Sequence, residues 1–330
     1  MKKVEIGDYF ERIAGHIEAH KNDLIDILLT ITDRRGALYE IESSLETLRG
    51  GQEEINREKP PLVNSLVIFY PTNVLLYSYI LYVVVPSVYC KKITIRPSHR
   101  DNQITEKIHE FFVPLLNSDC EVEVLRVHQR KFVALTNKAE VVVHTGQYEK
   151  ALQLMELYPD SLFLFFGCGT NPFIIGQNAD VKSAVNSAIA SRLTNSGQDC
   201  MCQDCHFVHH SIFRSFVDSL LHEIKQLKFG EPSVMADYSN IVYDHVFETV
   251  SDFYDQNKSY CIHKGIISTE DRRIDPMIFC FDRIKDMPYI KEFFAPIFVV
   301  TKYENDRECN TWLMEESQLD RSMGISIFGD

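Results

Sequence analysis

The chain has 330 residues, 45% of them apolar and 25% charged, and a formal net charge of −13. Such an acidic balance argues against a nucleic-acid surface, which needs a basic face to neutralise phosphates. It leaves open a small anionic cofactor, which needs only local positive charge. The length and apolar share suffice for a sizeable core and for two domains.

The N-terminal MKKVEIGDYFERIAGHIEAH has two lysines but no apolar h-region, so it does not read as a signal peptide. Residues 8–31 carry Phe10, Ile13, Ile17, Leu24, Ile25 and Leu28 at helical spacing, and a second helix is expected over about 36–55. The charged GQEEINREKPP that follows reads as a linker or turn. LVNSLVIFY (62–70) reads as a buried strand. The run from Val74 to Val85, closed by Pro86, is too short to span a bilayer and reads as a buried helix. Strands are expected at 91–97, 120–127, 140–144 and 161–166, and helices at 103–116 and 147–157.

Strands joined by helices in this order predict an α/β fold. Its first part is a doubly wound, Rossmann-like parallel sheet over 1–167, which binds nucleotides at the carboxyl ends of its strands. After Gly167 the pattern restarts. NPFIIG is a short strand, 181–193 and 211–228 are helical, and PMIFCF and PIFVVTKY are strands. A helix near 306–317 and a last strand, GISIF, complete a second α/β domain over 168–330. Nine cysteines without a secretory signal point to free thiols in a reducing cytosol, hence a cytoplasmic protein.

The densest chemistry lies in TNSGQDCMCQDCHFVHH (194–210). Cys200, Cys202, Cys205 and His206 offer soft ligands for zinc, but no second knuckle of similar spacing completes a framework, so no metal is expected. The other reading makes one cysteine a nucleophile at the end of a small polar loop, whose backbone N–H groups polarise it. Cys90, Cys120, Cys261, Cys280 and Cys309 read as packing residues.

Six stretches, in order along nearly the whole chain, together resemble the aldehyde dehydrogenase superfamily. Asn195-Ser196-Gly197-Gln198-Asp199-Cys200 resembles the nucleophile motif, which implies that Cys200 is catalytic. Tyr70-Pro71-Thr72-Asn73 resembles the segment whose asparagine donates to the oxyanion, which implies a catalytic Asn73 with Pro71 and Thr72 near the cofactor. Arg96-Pro97-Ser98-His99 resembles the segment that holds the adenosine ribose, implying roles for Arg96, Ser98 and His99. His144-Thr145-Gly146-Gln147 resembles the turn under the cofactor phosphates, implying roles for Thr145, Gly146 and Gln147. Gly169-Thr170-Asn171-Pro172-Phe173 resembles the segment linking the two domains. Glu292-Phe293-Phe294-Ala295-Pro296 resembles the motif whose glutamate holds the nicotinamide ribose, implying roles for Glu292 and Phe294. The resemblance implies NADP or NAD as cofactor, and a thiol that attacks an aldehyde or thioester carbonyl to give a covalent intermediate.

The departures from that pattern are specific. Phe166 stands where the family has its general base, and it cannot take a proton from water. This turns the expectation from simple aldehyde oxidation towards a thiol such as coenzyme A or a carrier as the acyl partner, in either direction. Arg96 and His99 replace the ribose-binding lysine and glutamate. Losing the glutamate removes its repulsion of a 2′-phosphate and tilts the choice to NADP. Gln147 and Ala151 replace small residues of the phosphate turn, so a cofactor-free binding protein or Cys200 acyl carrier is the alternative. Asp199 opposes thiolate formation if it points inward. The chain is short for the family and stops where relatives continue. A fragment is thus one reading, and a homodimer is allowed. No nucleic acid or membrane partner is expected.

Overall fold

The computed structural model describes residues 3–98, 100, 102–167, 169–290, 292–319 and 323–329. His99 and Cys168 lie outside the described residues. The chain divides into two compact units, Met1–Gly167 and Cys168–Asp330.

In the first unit three helices, α1 (Lys3–Ala19), α2 (Lys21–Leu28) and α3 (Arg34–Glu58), precede an alternation of strands and helices. These are β1 (Leu66–Phe69), α4 (Leu75–Tyr79), β2 (Lys92–Arg96), α5 (Asn102–Phe112), β3 (Glu121–Val124), α6 (Gln129–Thr136), β4 (Val141–Gly146), α7 (Tyr148–Leu157) and β5 (Leu162–Gly167). The sheet order is β3-β2-β1-β4-β5 and every pairing is parallel. Strand period decides how it is covered, since successive side chains leave opposite faces. Leu66 and Ile68 join a core formed with Ile13, Leu24, Ile41 and Ile108 of the helices α1, α2, α3 and α5. Val67 and Phe69 join one with Phe132 of α6 and Leu154 of α7. Helices on both faces explain why the central strand β1 is a continuous apolar run.

Several boundaries differ from the sequence expectation. The single helix expected over 8–31 is two, broken at His20. The charged stretch expected as a linker is the end of α3, which runs on to Glu58. Gly36, Ala37, Ile41, Leu48 and Gly51 keep one buried stripe through it, and a Cβ on Gly51 would stand 2.9 Å from the Phe10 ring. Lys59 then closes the helix in the left-handed region, its N–H donating to Ile55 O at 2.8 Å. The helix from 74 continues as a π-helical turn, Ile80–Val84, in which Val85 N–H reaches back to Ile80 O at 3.0 Å. Helix α6 was not anticipated, because Phe132 is its one buried residue and leaves no periodic signal.

The second unit contains β6 (Pro172–Ile175), α8 (Val181–Arg192), β7 (Cys205–His209), α9 (Phe213–Ile224), α10 (Asp244–Asn257), β8 (Cys261–His263), β9 (Ile267–Ser268), β10 (Arg273–Ile274), β11 (Met277–Phe281), β12 (Ile297–Tyr303), α11 (Asp306–Leu313), α12 (Glu316–Leu319) and β13 (Ser326–Phe328). Its main sheet has the order β13-β6-β7-β12-β11-β8, parallel except where β8 pairs antiparallel with β11. Phe207 and Val299 pack on one face, and Val208, Phe298 and Val300 on the other. The helix expected over 306–317 is two short ones. Helix α10 was missed although Val246, Phe247 and Val250 lie at helical spacing. His209 ends β7 rather than starting a helix. Among the described residues no helix is long and apolar enough to cross a membrane.

Candidate active site

In the first unit the sheet brings three of the sequence motifs and Phe166 to one edge. Phe69 is in register with Arg96 on one side and His144 on the other, and Thr145 and Gly146 with Phe166 and Gly167. Tyr70 N–H donates to Arg96 O at 3.0 Å, so the ends of β1 and β2 stay together. Pro71, Thr72 and Asn73 form the turn into α4, and Pro71 and Asn73 are buried. The next residue, Val74, is left-handed (φ 52°), which a β-branched side chain tolerates only under constraint. That constraint is Glu40 of α3, whose Oε2 accepts from Leu76 N–H at 2.8 Å at the N-terminus of α4.

This carboxyl edge carries the buried polar atoms Arg96 Nε and Thr145 Oγ1 without partners, beside the buried ring of His144. Burial drops the His144 pKa to about 4, so its ring is neutral. An open parallel sheet binds ligands at this edge, where the strand order reverses between β1 and β4. Gly146 has φ +150°, and a Cβ there would press within 3.3 Å of the His144 ring. Gln147, which replaces a small residue of the phosphate turn, is exposed and does not fill the space. Ala151, the other replacement, is buried in α7. Ser98 follows β2 and is half-buried. The residues present therefore fit a dinucleotide. Phe166 is half-buried, with its ring 5.3 Å from that of Tyr82, and offers no proton acceptor.

In the second unit the key residues enter neighbouring parallel strands. Cys205 is in register with Pro172 of β6 and Val299 of β12, so the segments before these three strands meet at the amino edge. Cys200 and Glu292 lie on two of those segments and Asn171 on the third. The nucleophile loop is held by its backbone shape. Asn195, Ser196 and Gly197 all have positive φ (46°, 58° and 83°). Gln198 fastens the loop, donating from Nε2 to Asn195 O and Asn240 O at 3.1 Å each, and accepting from Val242 N–H at 2.6 Å. Gly197 must be glycine for a second reason. A Cβ there would sit 2.5 Å from the Ala295 carbonyl, so the loop lies directly on the Glu292–Pro296 segment.

Arg192, which the sequence reading did not single out, ties these segments together. It is 1% exposed and pairs with Asp204 at 3.0 Å. It also donates to Gln203 O at 3.1 Å and twice to Ala295 O, at 3.0 and 2.6 Å. Asn171 adds to this, donating from Nδ2 to Cys200 O at 2.7 Å, while its N–H reaches Asp204 Oδ2 at 3.1 Å. Only its place shortly before the nucleophile motif hinted at this, a charge at the end of a helix of small residues.

Cys200 is half-buried, and its thiol is pushed well up by burial and then by the Asp199 and Glu292 carboxyls. Asp199 does point inward. It is buried, its Oδ1 accepts from Met201 N–H at 2.7 Å, and its pKa is raised by burial. Burial, with the Asp204 charge, lifts Glu292 to about 9. Its Oε1 is buried without a hydrogen-bond partner. Phe294, two residues on, is left-handed (φ 51°), with its ring 5.6 Å from Tyr243. Cys202 and Cys205 are buried and structural. Cys202 Sγ donates to Ser191 O at 3.1 Å. His206 sits neutral inside β7. Cys90, Cys120 and Cys309 are buried as expected, whereas Cys261 and Cys280 are only partly so. Among the described residues no group of three or more His, Cys, Asp or Glu side chains is arranged to hold a metal ion.

The Glu292 environment makes folding pH-dependent. The folded chain keeps the proton up to about 9, whereas the unfolded chain loses it near 4.5. Between those values the folded state binds the extra proton, so stability falls as pH rises. Glu292→Gln removes this loss. Its melting temperature, compared with wild type at about pH 6 and about pH 8.5, is expected to gain at the higher pH by on the order of 1–3 kcal/mol of stability.

The model of the aldehyde dehydrogenase family matches residues 133–317, more than half of the chain. The chain belongs to the aldehyde dehydrogenase family. It is 36% identical over 88 residues to an NADP-dependent succinate-semialdehyde dehydrogenase of Mycobacterium avium, covering 27% of this chain and 18% of that protein. It is 26% identical over 239 residues to succinate-semialdehyde dehydrogenase [NADP(+)] 1 of Mycobacterium tuberculosis, covering 66% of this chain and 50% of that protein. The chain thus spans half or less of the length of these curated relatives. Among solved structures it resembles an aldehyde dehydrogenase from Brucella melitensis, with a TM-score of 0.86 at 15% identity, over 99% of this chain and 77% of that one. It likewise resembles a betaine aldehyde dehydrogenase of Staphylococcus aureus, with a TM-score of 0.83 at 15% identity, over 100% and 72%. At that identity the likeness is one of fold, and the fold is that of the aldehyde dehydrogenases.

Proposed function

We propose that this aldehyde dehydrogenase-family chain is an NAD(P)-dependent oxidoreductase that interconverts an aldehyde and an acyl thioester through Cys200. The observation that carries the acyl-thioester part is Phe166. At the end of β5 an aromatic ring packed on Tyr82 replaces a proton acceptor, so water is poorly activated there and a thiol is the better acyl partner. Coenzyme A or a carrier-bound thiol has that chemistry.

In this reading residues 1–167 bind the cofactor and residues 168–330 carry the catalysis. Nicotinamide, when bound, supplies or takes the hydride. Arg96, Ser98, Thr145 and Gly146 hold the dinucleotide, with Pro71, Thr72 and Gln147 beside it. The absence of a carboxylate at Arg96-Pro97-Ser98 favours a 2′-phosphate, hence NADP over NAD. The family resemblance gives Asn73 the role of donor to the carbonyl oxygen as it becomes an oxyanion. The relatives named as NADP-dependent semialdehyde dehydrogenases support the nicotinamide and the aldehyde.

The test incubates the protein with an acyl thioester and NADPH. The expected result is loss of reduced-nicotinamide absorbance with one free thiol released per NADPH consumed. Acid formed from an aldehyde in the absence of any thiol would overturn the thioester reading. Calorimetric titration with NADP and NAD showing no binding of either would favour a cofactor-free acyl carrier instead.

A further inference from the structure

We infer that Glu292 is the acid of acyl exchange at Cys200, handing its proton to the sulfur that leaves and taking the Cys200 proton in its place. This rests on the reading that Cys200 exchanges acyl groups with a thioester. In that step the Cys200 Sγ–C bond forms and the thioester C–S bond breaks. The Glu292 proton goes to the released thiol, the Sγ proton replaces it on Glu292, and nothing is oxidised or reduced.

The placement is structural. Strands β7 and β12 are in parallel register, so the segments carrying Cys200 and Glu292 enter the sheet side by side. Gly197 rests on the Ala295–Pro296 peptide, and Arg192 grips both segments. An ionised Glu292 carboxyl would oppose ionisation of the Cys200 thiol. Four groups bear on this pair: Cys202, Asp199, Asp204 and Arg192. Asp204 is engaged by Arg192 and Asn171. Asp199 Oδ1 is engaged by Met201 N–H, and Cys202 Sγ donates to Ser191 O. Glu292 Oε1, buried and without a partner, is the acceptor left over. Burial and the Asp204 charge keep Glu292 protonated at neutral pH, which suits a group that hands a proton to a departing thiolate. The family resemblance gives this glutamate the nicotinamide ribose. The two roles separate when no nicotinamide is present.

The experiment follows acylation of Cys200 by an acyl thioester without cofactor, using intact mass, in wild type and Glu292→Gln. Alkylation of Cys200 by iodoacetamide, whose iodide leaves without a proton, runs in parallel as the measure of an accessible thiol. The expected result is acylation slowed at least tenfold in Glu292→Gln, with alkylation within about threefold of wild type. Acylation of the variant at the wild-type rate would overturn the proton role and leave the thioester reading standing. Wild type that alkylates but does not acylate would overturn the thioester reading itself. Should the variant neither acylate nor alkylate, wild type alone decides. Acylation that slows in D2O relative to alkylation supports the role, and an unchanged ratio overturns it.

Discussion

Cys200→Ala is expected to abolish acyl-thioester turnover, a fall of roughly a thousandfold or more, without unfolding the protein. The loop does not depend on the sulfur. Its shape comes from three consecutive positive-φ residues and the Gln198 hydrogen bonds, and Asn171 holds the Cys200 carbonyl rather than its side chain. The melting temperature should therefore stay near that of wild type while the acyl adduct disappears from the intact mass. Cys202→Ala is the control. That thiol is buried, and its donation to Ser191 O is structural, so this variant should lose stability but keep the adduct. Turnover retained in Cys200→Ala would reject the nucleophile.

Arg192→Met is expected to destabilise the second unit by about 3–5 kcal/mol, read as a drop in the urea midpoint. The arginine is 1% exposed and its partner Asp204 is equally buried. Removing the cation strands a carboxylate whose pKa burial already lifts to about 6, and it leaves the Ala295 carbonyl without its two donors. Breaking a buried pair costs more than the pair contributes, because the remaining charge stays desolvated. Arg192→Met combined with Asp204→Asn should therefore recover part of the loss. A single variant as stable as wild type would show that the clasp does not hold these segments.

Much of this was legible in the residues. The alternation of apolar runs with helical stretches specified the parallel sheet of the first unit, because strands covered on both faces carry no polar alternation. The ordered motifs around Asn73, Arg96, Thr145, Cys200 and Glu292 identified the family before any coordinates. What stayed hidden had thin or misleading local signals. Helix α6 buries Phe132 alone, and the charged tail of α3 is helical because Gly51 lets it pack against Phe10. Neither shows in periodicity.

The sequence by itself pointed to Cys200 through the resemblance of its loop to the family's nucleophile motif, and it placed at 166 a phenyl ring, which accepts no proton. The tertiary structure alone decided the charges around Cys200. Only in the fold does Asp199 turn inward, does Arg192 clasp Asp204 and Ala295, and does Glu292 lose its solvent and keep its proton. Protonation in a buried cluster depends on which groups are desolvated together, and residues about ninety positions apart meet only when β7 and β12 pair.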